Sequence, residues 1–437
     1  MSNRKYLIGI NLAVFISSLD TSIVNTILNP LSQELAIDTS QSIWIVFVYH
    51  LAILSTMLFF GNYGEKKGYS NLIYVGILIF TLSSFFCGYS QDFILLILSR
   101  FFQGIGASII LVCNTALIKQ LSNVKSLGQN IGFNAMVIAA GFSLGPTLAS
   151  FLIQYLNWKW LFYMNIPIGI LSLYLIYNKR VEALKISNFN WIGNGLFSVI
   201  ILIFFLGIDL LKDQRNITVA LLFLIISLII AYGFFNIIYP KDKKLLPIDL
   251  IKIQSIRFSL VGTFSLFFIQ SLVYILFPLV FITILKIPQK NVGLFISPWP
   301  FMATLIAPLS GYLSDRIKPK LLSKIGLTIL TISLFRISFQ NELDNKFKLI
   351  ILMLCCGIGF GLFQSPNIKN VMKLSPLGRD GSVSSLLGIT RILGQLSGSL
   401  FLSYFLTYFT VQQWIFALYV GVLIGLIGII FLNKIKS

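Results

Sequence analysis

Apolar runs about as long as a bilayer is thick follow one another along this chain, and a run of ~20 residues makes a helix of ~30 Å. Counting the runs and the polar breaks between them predicts fourteen spans, at 6–30, 42–61, 71–89, 93–117, 128–154, 160–178, 190–209, 217–238, 257–285, 292–311, 322–338, 348–370, 382–407 and 412–432. Hydrocarbon offers backbone N–H and C=O groups no water, so repeated runs of this length call for helices. With 57% hydrophobic and 11% charged residues, no soluble core could enclose the apolar surface. The expected fold class is therefore an all-α polytopic membrane protein. The start, MSNRKYLIGINL, is basic but lacks a small-residue cleavage site, which predicts a retained first helix rather than a signal peptide.

A formal net charge of +19 would suggest nucleic acid in a soluble domain. Here the bases sit in short loops between apolar runs, where they set topology and face anionic lipid, so no nucleic-acid partner is expected. Placing both termini in the cytoplasm puts Lys66, Lys67, Lys119, Lys125, Lys241, Arg316, Lys318, Lys320, Lys369, Lys373, Arg379 and Lys434 inside. Few bases, such as Lys159, Lys286 and Lys346, remain outside. A multi-pass protein of the cell membrane follows. An internal repeat fits that layout. Gly61-Asn-Tyr-Gly64-Glu65-Lys66-Lys-Gly68 closes the second span of one six-span block, and Gly311-Tyr-Leu-Ser-Asp315-Arg316 closes the second span of the other. The expected organisation is a six-helix bundle over 1–180, two inserted helices over 181–253 and a second six-helix bundle over 254–437.

Asp20 lies alone inside the first span, where an ionised carboxylate costs at least about 2.5–3.5 kcal/mol. Helix rise places Asp20, His50 and Arg100 in one layer, ~10–15 Å beneath the outer surface. Asp20 is then either a proton-binding and substrate-binding carboxylate gated by Arg100, or half of a static ion pair locking span 1 to span 4. His50, the single histidine, is either a proton relay or a hydrogen-bonded helix residue. Glu34, fourteen residues beyond Asp20, shares its face if span 1 continues past Pro30. Asn25, Asn165, Gln270, Gln364, Asn367 and Gln395 are candidate cavity-lining amides, with interhelical glue as the alternative.

In the first cytoplasmic loop, glycines permit a tight turn, while the acid can cap a helix and pair with a base across the gap between halves. Asp315 and Arg316 are placed to do the same in the second half. Gly141, Gly145 and Pro146 make span 5 close-packed and kinkable, as an outer gate or as ordinary packing.

Several stretches carry a resemblance: Leu19-Asp20-Thr-Ser22-Ile-Val-Asn25 in span 1, the loop at 61–68, Arg100-Phe-Phe-Gln103-Gly104-Ile-Gly106 in span 4, Gly141-Phe-Ser-Leu-Gly145-Pro146 in span 5 and Trp158-Lys-Trp160-Leu-Phe-Tyr-Met-Asn165-Ile-Pro167 at span 6. Together they resemble the major facilitator superfamily, and within it the 14-helix drug:proton antiporters. The resemblance covers nearly the whole chain and implies two six-helix bundles plus two inserted helices. It also implies alternating access and export of small amphiphilic drugs in exchange for protons. Protons are the expected coupling ion, no cofactor or metal is expected, and a monomer is expected. The motif Gly61, Gly64, Glu65, Lys66, Gly68 is implied to stabilise an outward-open state. Some members that resemble dication exporters carry an acid in span 10, and 292–311 has none. Monovalent cations, zwitterions such as quinolones and neutral amphiphiles are thus the expected cargo. The rivals are a physiological metabolite as cargo, or a non-transporting receptor or scaffold. One histidine, no clustered cysteines, no paired intramembrane carboxylates and no phosphate-binding glycine loop argue against an enzyme or an ATP-driven pump.

Overall fold

The computed structural model describes residues 3–37, 39–123, 125–177, 189–211, 216–242, 245–339, 345–409 and 413–435, without the side chains of 3, 25–30, 33, 39, 40, 150, 289–291, 407 and 408. Long helices occupy the expected runs. They are α1 (Asn3–Glu34), α2 (Thr39–Lys67), α3 (Tyr69–Tyr89), α4 (Phe93–Leu121), α5 (Leu127–Tyr155), α6 (Asn165–Ile176), α7 (Trp191–Leu210), α8 (Ile217–Gly233), α9 (Gln254–Thr283), α10 (Pro298–Ser314), α11 (Pro319–Ile337), α12 (Lys346–Lys373), α13 (Asp380–Tyr408) and α14 (Trp414–Asn433). No strand occurs among the described residues. Twelve spans among them are long and apolar enough to cross a bilayer. The remaining two expected spans are marginal for different reasons. Trp160–Ile176, which contains α6, is short, and α11 carries Lys320, Lys324 and Arg336. Packing holds both in place, α6 against α1 and α3, and α11 against α12 and α14.

The helix contacts repeat with an offset of eight helices. In the first group α1 packs on α5 and α6, α2 on α4, and α3 on α4 and α6; in the second, α9 packs on α13 and α14, α10 on α12, and α11 on α12 and α14. The groups meet through α5 against α10 and through α2 against α13, which are the same pair of contacts with the groups exchanged. That is what two parallel repeats related by a pseudo-two-fold axis produce. Helices α7 and α8 pair with each other, and α7 lies on α2. A buried polar tie holds this pair: Asn62 Nδ2 donates to Asn194 Oδ1 at 2.7 Å and to the Leu245 carbonyl at 3.0 Å.

The two groups touch most closely at the end that bears Lys66, Lys67, Lys119 and Arg379, here the basic end. A Cβ on Gly61 would stand 2.7 Å from the Gly381 carbonyl oxygen, and one on Gly311 would stand 2.4 Å from that of Gly128. Glycine is required at both places because a backbone, not a flexible side chain, occupies the space.

Candidate transport cavity and buried ion pair

Between the groups lies a cavity with about 980 Å³ of unfilled space, part of it continuous with solvent. Ser17, Tyr49, His50, Asn114 and Asn134 line it from the first group, and Gln364, Asn367, Arg391 and Gln395 from the second. Among the described residues no Asp or Glu lines it. Walls that mix amides, hydroxyls and aromatics with the guanidinium of Arg391 suit a small amphiphilic guest.

Asp20 does not reach this cavity. It lies behind the cavity wall, 1% exposed, with both oxygens engaged. Oδ2 accepts from Arg100 Nη1 at 2.6 Å, while Oδ1 accepts from Gln103 Nε2 and Asn165 Nδ2, each at 3.0 Å. Arg100 also donates from Nη1 to Gln103 Oε1 at 2.6 Å and from Nε to the Ile45 carbonyl at 3.2 Å. Its guanidinium lies 4.2 Å from the centre of the Tyr49 ring. Gln103 Nε2 is shared with Ser84 Oγ at 2.8 Å. The cluster thus joins α1, α2, α3, α4 and α6, and it pairs and hydrogen-bonds the buried charges as such charges require. Tyr49, whose hydroxyl lies 3.1 Å from Ser17 Oγ, separates it from the cavity.

The other expected residues divide. His50 faces the cavity, with Nδ1 2.9 Å from the Val46 carbonyl oxygen and its ring edge-on to Tyr49. No hydrogen bond joins it to Asp20 among the described residues. Glu34 is exposed at the end of α1, which does continue past Pro30. Fourteen residues of helix put it ~21 Å from Asp20, so the two carboxylates do not meet. Asn165 serves Asp20 instead of lining the cavity. Asn367 lines the cavity and donates to Thr263 Oγ1 at 2.8 Å and to the Ser259 carbonyl at 3.2 Å. Gln364 lines it too, and Gln270 faces a smaller adjoining space. The side chain of Asn25 lies outside the described residues.

The loop motifs act across the gap at the basic end. Glu65 Oε1 accepts from the Ser382 backbone N–H and from its hydroxyl, each at 2.7 Å, at the start of α13. Arg379 stands 3.9 Å from Glu65 and 3.1 Å from Asp249. The repeat partner does the same: Asp315 accepts from the Gly128 and Gln129 N–H groups at 2.9 Å, at the start of α5, and pairs with Lys369 at 2.6 Å. Each acid thus caps a helix of the opposite group, where the helix dipole favours a negative charge. Lys119 adds an ion pair to Asp380 at 2.5 Å. Lys66 takes no part in these bonds. Nor does Arg316, which lies over the Tyr312 ring. Gly64 makes room for the Tyr69 ring, and Gly68 turns the chain at φ 91°. Glu65→Gln keeps an acceptor but loses the charge, a difference of about 1 kcal/mol or roughly fivefold in the closed-to-open ratio. Faster modification of a cysteine introduced at Ser384, with reagent supplied from the basic side, is the expected readout. An unchanged rate would remove Glu65 from the latch.

The span 5 motif packs within its own group. Gly141 and Gly145 abut α1 on either side of Asp20, with a Cβ at Gly145 falling 2.5 Å from Ser22 Oγ. Pro146 lacks the N–H that would bond the Phe142 carbonyl, and Ser22 Oγ donates to that oxygen at 2.9 Å. Arg391, Asn114, Asn134 and the role of Gln103 escaped the reading of the sequence. Arg391 carried a usable signal, since it is a cation inside an apolar run.

A model of the Major Facilitator Superfamily matches residues 10–399. The chain belongs to that superfamily. It is a multi-pass membrane transporter, not an enzyme. It is 31% identical to an uncharacterised transporter, YebQ, of Escherichia coli K12, over 92% of this chain and 88% of that one. It is 30% identical to the riboflavin transporter RibZ of Clostridioides difficile 630, over 91% and 87%, and 26% identical to the multidrug efflux pump SdrM of Staphylococcus aureus N315, over 94% and 90%. The fold matches that of the proton:xylose symporter XylE at a TM-score of 0.72 and 15% identity, covering all of this chain and 97% of that one.

Proposed function

We propose that the protein is a monomeric proton-coupled antiporter of the cytoplasmic membrane, exporting small amphiphilic molecules, drugs among them, by alternating access. In this reading the basic end and both termini face the cytoplasm. The supporting observation is the fully engaged Asp20–Arg100 pair, buried one side chain behind the cavity wall.

Protonating Asp20 removes the charge that Arg100 Nη1 and the two amides grip, and so loosens α1 from α4 and α6. Ser17, Ser18 and Thr21 flank Asp20 on α1 and line the cavity, so the same movement reshapes the cargo site. Proton and cargo then compete through one helix. Closed latches at the basic end make this conformation one shut to the cytoplasm, ready to take a proton from outside.

The test is proton movement driven by norfloxacin, ethidium or riboflavin in liposomes of purified protein under an imposed pH gradient. Wild type is expected to exchange at least one of them for protons. Asp20→Asn is expected to bind the same compound without exchange. Exchange by the variant would make Asp20 structural, and no exchange by wild type would overturn the antiporter reading.

Metabolite transport, with drug extrusion incidental, is favoured by one finding, the riboflavin transporter among the relatives. Growth inhibition by unrelated dyes and antibiotics in an efflux-deficient host separates the two. Protection limited to one chemical class would favour the metabolite.

A further inference from the structure

The cargo's chemistry is narrowed by the second six-helix group. A smaller chamber adjoins the main cavity, and Ile138, Phe142, Phe267, Gln364 and Arg391 line both. Its walls are aromatic. Trp299 stands edge-on to Tyr274 at 5.7 Å and lies 6.3 Å from Phe360, which in turn is edge-on to Phe267 at 5.7 Å.

Three polar groups here have unused capacity. Trp299 is 0% exposed and its Nε1 donates to nothing; Gln270 is 6% exposed and its Oε1 accepts nothing. Arg391, where the two spaces join, has aromatic neighbours at 5.0 Å (Phe267) and 5.8 Å (Phe142) but no hydrogen bond or ion pair among the described residues. Buried donors and acceptors are normally paired, so a cluster of unpaired ones around a hollow marks where a guest's own groups fit.

We propose that Arg391 and the main cavity beside this chamber form a cargo subsite for a planar aromatic monoanion, its carboxylate held by the Arg391 guanidinium and its ring in the main cavity against Phe142 and Phe267, which line both spaces. The proposal rests on the transporter reading above. A guanidinium matches a carboxylate with two parallel donors, and its plane tolerates aromatic neighbours. The charge count sets the rest. No lysine, no second arginine and no acid among the described residues lines either space. One cation balances one negative charge, which fits a carboxylate better than a phosphate dianion. With no acid opposite, Arg391 repels a cationic guest, so monovalent cations drop out of the expected cargo. Trp299 Nε1 and Gln270 Oε1, in the adjoining chamber, supply one donor and one acceptor for polar substituents of the ring.

The test is isothermal titration of the purified full-length protein with three probes of one shape: 2-naphthoate, 2-naphthamide and 2-naphthylmethylammonium. Wild type is expected to bind the carboxylate about tenfold or more tightly than the amide, with the ammonium weakest. Arg391→Gln is expected to bring the carboxylate down to the amide's affinity, and Arg391→Lys to keep part of the preference. Equal affinities, a preference for the ammonium, no binding of any probe, or a carboxylate preference that survives Arg391→Gln would each overturn the subsite. If Arg391→Gln does not fold, Arg391→Lys carries the comparison. Norfloxacin or riboflavin exchange without a carboxylate preference would leave the antiporter standing and remove the subsite. A carboxylate preference lost in Arg391→Gln, without proton exchange of any compound, would do the reverse.

Discussion

Arg100→Leu is expected to lower stability more than any other single change in the first six-helix group and to abolish exchange, while Asp20→Asn combined with Arg100→Leu recovers most of the stability and none of the exchange. Arg100 is 1% exposed and grips Asp20, Gln103 and the Ile45 carbonyl. Without it, Asp20 keeps only two neutral amide donors for a full charge inside the membrane. Removing one partner of a buried pair costs about 3–5 kcal/mol, whereas replacing both with neutral groups is often close to neutral. The asymmetry separates charge from packing. Thermal unfolding of the three variants in one detergent, beside proton exchange in liposomes, makes the measurement. If the double variant is no more stable than Arg100→Leu, the guanidinium's stacking on Tyr49 at 4.2 Å holds α1 to α4, and the ion pair does not.

Residue type carried the architecture well. Apolar length placed twelve of the described spans, and a charge inside an apolar run pointed to Asp20, because both signals depend on the cost of leaving water. The two marginal spans show where that signal ends. Trp160–Ile176 is too short and α11 too basic at its ends for hydropathy alone, and tertiary contacts hold them in place. Which way a side chain turns was less legible. Asn165 and Gln364 looked alike as intramembrane amides, yet Asn165 turns to Asp20 and Gln364 to the cavity. Helix rise fixes depth but not azimuth, so the layer expected for His50 and Asp20 did not reveal Tyr49 beside them. Arg391 is not marked by an acid or an amide, yet a cation in an apolar run is just as costly as an acid.

Gly311→Val is expected to hold the basic end open and to cut exchange to a small fraction of wild type. A Cβ at 311 would lie 2.4 Å from the Gly128 carbonyl oxygen and 2.6 Å from the Gly132 Cα. These are backbone atoms of α5, so no rotamer change relieves the clash, and only separation of α5 from α10 does. Overpacking of this kind costs up to about 3 kcal/mol, which shifts a closed-to-open ratio roughly a hundredfold. The pseudo-two-fold contact predicts an equal effect from Gly381→Val, where the Cβ would meet the Gly61 carbonyl oxygen at 2.2 Å. Gly233→Val supplies the contrast, since nothing lies within 4 Å of a Cβ there. Distances between spin labels at Lys125 and Lys318, on opposite groups at the basic end, report the result. A longer-distance population is expected to dominate in Gly311→Val and Gly381→Val and to match wild type in Gly233→Val. If the distances in Gly311→Val match wild type while exchange is still lost, the glycines do not govern the closure, and the latch rests on Glu65, Asp315 and the Lys119–Asp380 ion pair.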